Sequence, residues 1–293
     1  MNSKFVKIVK PYVPKKVKQL FKPKEPISVP EAPLDSAYQA LREFYNNKQK
    51  HYIDILKELN IQDDAYSQWY KSGGFGYDAK YARQWLIDDS SLSDFRGTCL
   101  DAGSGDGFWS FLLSEWYNVT GIDPAAGGIE LSQAIRKRLP KTIQRRTNFI
   151  VGDAFEIDNK FDVIFCGAPS FFNFPIHEDV TDNILDINRE NEIKFYRKNY
   201  PQHEAEKYIS TAPRLEQQTP FKFSVKECLE RLLAKTRKLF VLRLWTCEDF
   251  YGQYCGNSYC HNPDEVLDWF SQYGDARVCI DSAGTNFIAE IRL

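Results

Sequence analysis

From residue 98 to residue 292 the apolar positions fall into short continuous runs separated by longer segments of helical period. Thr98–Asp101, Val119–Asp123, Asn148–Gly152, Phe161–Cys166, Leu239–Trp245, Ala276–Asp281 and Asn286–Arg292 are too short for helices and predict seven strands. Between them, 108–116, 128–139, 224–238 and 263–270 repeat their apolar residues every three to four positions and predict helices. Strands alternating with helices build a doubly wound, mostly parallel sheet covered on both faces. The last two strands are joined only by Ser282-Ala283-Gly284-Thr285, too short for a crossover helix, so they must pair antiparallel.

Upstream the pattern is helical only. Ser36 and Gln39 resemble a capping box before Leu41, Phe44 and Tyr45. A second pattern carries Ile53, Leu56 and Leu59, and 78–86 forms a third after the glycine-rich 71–77. Residues 34–97 are therefore expected to form an N-terminal helical cap, and 98–293 the α/β domain. A polar, α-rich insertion over 170–223 interrupts the alternation at a strand's carboxyl end, where open α/β sheets bind ligands. It is expected to shape a substrate pocket rather than to build core.

Residues 1–33 depart from the rest. Residues 1–24 hold eight lysines and no acid, with Phe5, Val9, Val13 and Val17 at roughly helical spacing, and 22–33 is a Pro-rich linker. A basic amphipathic arm of this kind suits peripheral contact with an anionic membrane face, or a solvated tail. No run of 18 apolar residues exists, and no apolar stretch follows the charges as a secretory leader would require. The expected location is cytoplasmic, with association at the inner face of a membrane through the arm.

Net charge is −2 over 293 residues, so no nucleic-acid partner is expected; the one basic cluster, 136–146, reads as a solvated face. The cysteine count is odd, at seven, and Cys99, Cys166 and Cys279 fall in apolar runs, which predicts buried thiols rather than disulfides. Cys247, Cys255, Cys260 and His261 match no compact zinc spacing, and no metal is expected.

The chemistry gathers at residues 99–113, CLDAGSGDGFWSFLL. Gly103, Gly105 and Gly107 follow Asp101 at a strand end, but Phe108 stands where a dinucleotide turn places its third glycine. A carboxylate at that tip repels a pyrophosphate and attracts an ammonium. A nucleoside with an amine and no phosphate fits, and S-adenosylmethionine is one. Asp123 ends the second strand, where a carboxylate accepts from a ribose diol, and Asp153 follows the third, where it accepts from an adenine amine.

DAGSGDG, GIDPA, GDAF and FDVIFCGAPS in this order resemble class I S-adenosylmethionine-dependent methyltransferases. The resemblance implies a Rossmann-like fold with S-adenosyl-L-methionine as cofactor. It places Asp101 at the methionine amine, with Ala102, Gly103, Ser104, Gly105 and Gly107 packed along the ligand. Asp123 and Pro124 then flank the ribose, Asp153, Ala154 and Phe155 the adenine, and Cys166 and Gly167 the path near the sulfonium.

The acceptor is less marked. Gly167-Ala168-Pro169-Ser170-Phe171-Phe172 lacks the Asn/Asp-Pro-Pro-aromatic run of enzymes that methylate nucleobases. His177, His261, Glu248 and Asp249 are the candidate general bases, and Ser170 and Asn173 the candidate substrate contacts. The expected reaction is O-methylation of a glycan or small polar metabolite. Small-molecule N-methylation and protein methylation are the alternatives, with non-catalytic cofactor binding as the alternative of another class.

Overall fold

The structure, a computed structural model, describes residues 36–59, 79–167, 201–211, 223–246, 248–255, 258–281 and 286–293. It also describes 172, 174–176, 189–190, 193–194 and 196–198. The basic arm, the glycine-rich 71–77, His177, Ser170, Asn173 and Cys247 lie outside the described residues.

Seven strands form one sheet: β1 (Gly97–Ala102), β2 (Tyr117–Asp123), β3 (Thr147–Val151), β4 (Phe161–Gly167), β5 (Thr236–Trp245), β8 (Asp275–Ile280) and β9 (Asn286–Arg292). Their order is β3-β2-β1-β4-β5-β9-β8. All neighbours are parallel except β9, which runs antiparallel to both β5 and β8. A short hairpin, β6 (Gln253–Cys255) and β7 (Ser258–Cys260), stands apart from this sheet. The strand order reverses between β1 and β4, the switch point beyond whose carboxyl ends open α/β sheets hold ligands.

The alternation of side chains along each strand divides the core in two. Cys99, Val119, Phe149, Val163, Phe165, Val241 and Ile288 face α1 (Ser36–Asn46), α2 (Lys48–Glu58), α3 (Ala79–Asp88), α4 (Phe108–Leu113) and α5 (Ala126–Arg138). Leu100, Ala102, Ile122, Ile164, Cys166, Phe240, Leu242 and Phe287 face the other way. There they meet α8 (Val225–Leu233) and α9 (Pro263–Phe270). Both of those helices carry their own start signals: the Ser224–Glu227 capping box, and Asn262 accepting from Asp264 N ahead of Pro263 at the first turn.

Several expectations shift. The helix expected over 224–238 ends at Leu233, because pairing of Phe161 with Thr236 recruits Thr236–Lys238 into β5. The basic cluster folds as the end of α5 and a further short helix, α6 (Lys141–Arg146); Arg138, Arg145 and Arg146 are exposed, as expected of a solvated face, while several of its arginines also tie elements together. Arg136 donates to Gln144 O, Arg146 to Ser114 O and Glu115 O, and Arg138 pairs with Glu58 of α2. Cys279 is only half-buried, since β8 is the edge strand, whereas Cys99 and Cys166 are buried as expected. Phe172, Phe174 and Ile176, at the start of the expected insertion, belong to the core beside Trp269; α7 (Gln202–Thr211) is its helix among the described residues. No helix among the described residues is long and apolar enough to cross a membrane.

Glu290 of β9, 2% exposed, anchors the helical cap to the far edge of the sheet. It accepts from Ser91 N (2.9 Å) and Ser91 Oγ (2.6 Å), and Arg277 Nε lies 3.0 Å from the same carboxylate. Glu290→Ala strands these buried donors and should cost about 2–3 kcal/mol, read as a lower urea midpoint at unchanged slope.

Candidate cofactor and acceptor site

β1 delivers Asp101 and Ala102 to the switch point, and the chain then turns through Gly103, Gly105 and Gly107 at φ of 79°, 50° and 81°. These are left-handed conformations that favour glycine. Gly103 N and Ser104 N both donate to Ile122 O, at 2.9 and 3.0 Å, so the turn is tied to the end of β2. Gly107 also needs its missing side chain for space, because a Cβ there would lie 2.8 Å from Phe149 Cζ.

Asp123 clamps the turn from the second strand. Its Oδ2 accepts from Gly105 N at 2.9 Å and its Oδ1 from Ala125 N at 2.8 Å. Burial raises its carboxyl above the usual range, and these two backbone donors oppose that rise. Each oxygen keeps a lone pair, so a vicinal diol remains a possible guest. Pro124 is exposed beside it. On the third loop Asp153 caps its own turn, its Oδ1 accepting from Phe155 N at 2.8 Å. Ala154 is buried there, and Phe155 packs edge-on against Phe223.

Asp101 is fully buried. Ser110 Oγ of α4 donates to its Oδ2 at 2.5 Å, while Oδ1 is buried with no partner. Burial pushes its carboxyl up to about 7, with Ser110 pulling it back and Asp123 and Asp106 adding to the rise. A buried acceptor without a donor, at the foot of a glycine turn, suits a ligand ammonium. On the adjacent strand β4, Cys166 is fully buried in the opposite core, and burial holds its thiol well above its ordinary range. Gly167 follows on the Asp101 face, and a Cβ there would sit 2.6 Å from Trp109 Cδ1.

The candidate bases separate. His261 is 2% exposed, and its ring Nε2 lies 2.7 Å from Phe172 O. Burial pushes its pKa down to about 4, so it is a neutral imidazole donating to that carbonyl and pinning residue 172 to the loop before α9. Glu248 and Asp249 are exposed on the turn following β5.

Two groups escaped the reading of the sequence. Asp106, inside the glycine turn, accepts from Tyr52 Oη at 2.6 Å and lies 3.6 Å from Lys48 Nζ, both on α2. Tyr45 of α1 meets Phe108 edge-on. Spacing offers no signal for a contact 54 residues apart. Arg243 of β5, 6% exposed, stands 5.6 Å from the Trp85 ring and 5.5 Å from that of Trp109. A lone arginine inside the apolar run LFVLRLW was its signal.

Residues 99–191 match the profile of the family described as "Methyltransferase domain". Among solved structures, the chain is similar to magnesium protoporphyrin IX methyltransferase (ChlM) from Synechocystis PCC 6803 with bound SAM. Identity is 14%, with 89% of this chain and 98% of that one covered, at a TM-score of 0.39. It is also similar to WbdD, at 15% identity over 81% of this chain and 47% of that one, TM-score 0.44. A third is the glycopeptide N-methyltransferase MtfA complexed with S-adenosyl-L-methionine, at 12% over 72% and 91%, TM-score 0.42. No curated protein matches the sequence. The orphaned acceptor of Asp101 lies in this matched segment, beneath the glycine turn.

The raised carboxyl of Asp101 gives two pH dependences of opposite sense. Without ligand, the folded state holds this proton more tightly than the unfolded state, so Asp101 lowers stability as pH rises from about 4 to about 7. An ammonium seated on Asp101 needs the ionised form, so affinity for S-adenosylhomocysteine should rise about tenfold from pH 6 to pH 8. Calorimetric titration across that range checks it, and Asp101→Asn should flatten the profile.

Proposed function

We propose that the protein transfers the methyl group of S-adenosylmethionine to an oxygen of a glycan or small polar metabolite. The observation that carries the cofactor half is the three-strand constellation: Asp101 with its unmatched oxygen, Asp123 gripping the glycine turn, and Asp153 on the loop after β3. In this reading Asp101 takes the amine, Asp123 with Pro124 the ribose, and Asp153, Ala154 and Phe155 the adenine. The backbone of 102–107 and of Cys166 and Gly167 lies along the ligand.

The sulfonium supplies an already activated methyl, so the protein's tasks are alignment, exclusion of water and removal of the acceptor's proton. In this reading the acceptor stands near the carboxyl end of β8 and the start of β9, where polar side chains gather. Asp281 Oδ2 accepts from Asn286 Nδ2 at 2.7 Å and lies 3.5 Å from Tyr81 Oη. Hydroxyl and amide groups of this kind read hydroxyl-rich acceptors by direct hydrogen bonds. Glu248 and Asp249, exposed beyond β5, are the described carboxylates open to receive a proton, whereas the bond between His261 and Phe172 gives that imidazole a structural task.

Calorimetry should show micromolar binding of S-adenosylhomocysteine and none of NAD. Asp123→Ala should weaken that binding about 10- to 100-fold, the size of one or two hydrogen bonds to a charged group. Labelled cofactor offered to sugars, lipids, peptides and RNA should place label on a hydroxyl as a methyl ether. Label confined to peptide or RNA would remove the acceptor reading while leaving the cofactor one intact.

A further inference from the structure

The connection from β3 to β4 is built unlike its neighbours. The chain passes from β1 to β2 through α4, from β2 to β3 through α5 and α6, and from β4 to β5 through α8. Residues 152–160 contain no helix, although they must pass both β2 and β1 to reach β4. That is three strand spacings, about 14 Å sideways, besides the descent from the carboxyl to the amino edge of the sheet. A chain crossing in this way has no ladder of its own, so its backbone groups need partners from elsewhere. At the upper end Gly152 N donates to Asp123 O at 3.1 Å. The turn that follows serves itself: Asp153 Oδ1 accepts from Phe155 N at 2.8 Å and Asp153 O from Glu156 N at 3.1 Å.

Below that turn, one residue holds the connection at three points. Lys235 lies between α8 and β5. Its Nζ donates to Phe155 O at 2.9 Å and to Ile157 O at 2.6 Å. Its own carbonyl accepts from Phe161 N at 2.9 Å, where β4 begins. An ammonium carries three donors, and bonds from a charged donor are stronger than those between neutral groups, so one lysine can grip two carbonyls two residues apart. Side chains support the same turn. Phe155 meets Phe223 edge-on at 5.9 Å between ring centroids, and the Arg231 guanidinium of α8 lies 3.6 Å from the Phe223 ring. Ring packing tolerates a tilt, whereas hydrogen bonds weaken steeply off their angle, so the pair to Lys235 sets where the main chain stands.

We propose that Lys235 is a positioning residue for recognition of the cofactor's base: by holding Phe155 O and Ile157 O it fixes the turn 153–155 against which the adenine rests. This rests on the S-adenosylmethionine reading above. It assigns part of base recognition to a side chain 80 residues further along the chain than Phe155, on the far side of α8. A lysine that merely stabilised the fold would act on every part of the ligand alike; this one acts on the base alone.

Calorimetry with S-adenosylhomocysteine and with S-ribosylhomocysteine, which keeps the amino acid and the ribose but lacks the base, separates the possibilities. Wild type should bind the complete compound about 10- to 100-fold more tightly. Lys235→Met should weaken binding of S-adenosylhomocysteine about 5- to 20-fold and leave the affinity for S-ribosylhomocysteine unchanged. Lys235→Arg, which keeps the charge and the donors, should recover at least half of that loss. Lys235→Gln, which keeps an amide donor, should show a smaller loss confined to the same ligand, and it decides the matter should Lys235→Met not fold. Equal weakening of both ligands in these variants would make Lys235 structural and overturn the proposal. An unchanged affinity for S-adenosylhomocysteine would do the same, as would a wild type indifferent to the base. A wild type that binds neither ligand sinks the cofactor reading itself, a different result.

Discussion

The short bond from Ser110 to Asp101 holds the tip of β1 to the first turn of α4, and the rest of the site is arranged around it. It fixes one oxygen of a carboxyl whose ionisation burial already disfavours, and leaves the other buried without a partner among the described residues. Between the two bonded residues the chain reverses through three glycines, and that reversal is possible only because β2 receives it. Ile122 O takes two amides of the turn, and Asp123 takes a third. The strand order changes direction at the same place, the position at which open α/β sheets hold ligands.

The two faces of the sheet are chemically unequal. Toward α8 and α9 the strands present an apolar core, in which even Cys166 is a packing residue with a thiol that burial keeps protonated. Toward α3 and α4 the last residues of β1, β4 and β5 present a carboxylate, a glycine and an arginine. A period of two converts a one-dimensional order, LDA, FCG and LRL, into a row in which the Trp109 indole lies over the glycine between carboxylate and arginine. Loops off the carboxyl ends need only complete a surface whose polarity the strands have set.

Much of this was legible in the sequence, because strand runs and turn residues are local signals. The seven runs became seven strands, the interval of four residues between the last two forced their antiparallel pairing, and the three acids sit after three successive strands. What was missed is non-local. The helix expected to reach residue 238 stops at 233, since pairing with β4 outbids helical period once Thr236 can join the ladder. The hairpin at 253–260 lacks the alternation that marks a strand. The arginines of 136–146 form the largely exposed face that their charge predicts, but nothing in their spacing names the carbonyls of Ser114, Glu115 and Gln144 that they also reach. His261 resembled a base in sequence; its burial and its bond to Phe172 O are tertiary facts.

The contact of Lys48 and Tyr52 with Asp106 has a consequence for the order in which the molecule loosens. Asp106 belongs to the same five-residue turn that the proposed reading assigns to the ligand, yet two of its partners belong to α2. Lys48 is 8% exposed, and burial lowers its pKa against the pull of Asp106, so separating the pair leaves each charge without its counterpart in a poorly solvated place. Turn and cap therefore share one opening equilibrium. Whatever steadies the turn slows the fraying of α1 and α2, and the cap cannot lift without freeing Asp106 and its turn. By reciprocity, occupancy at the sheet is felt as amide protection in helices some fifty residues upstream in sequence.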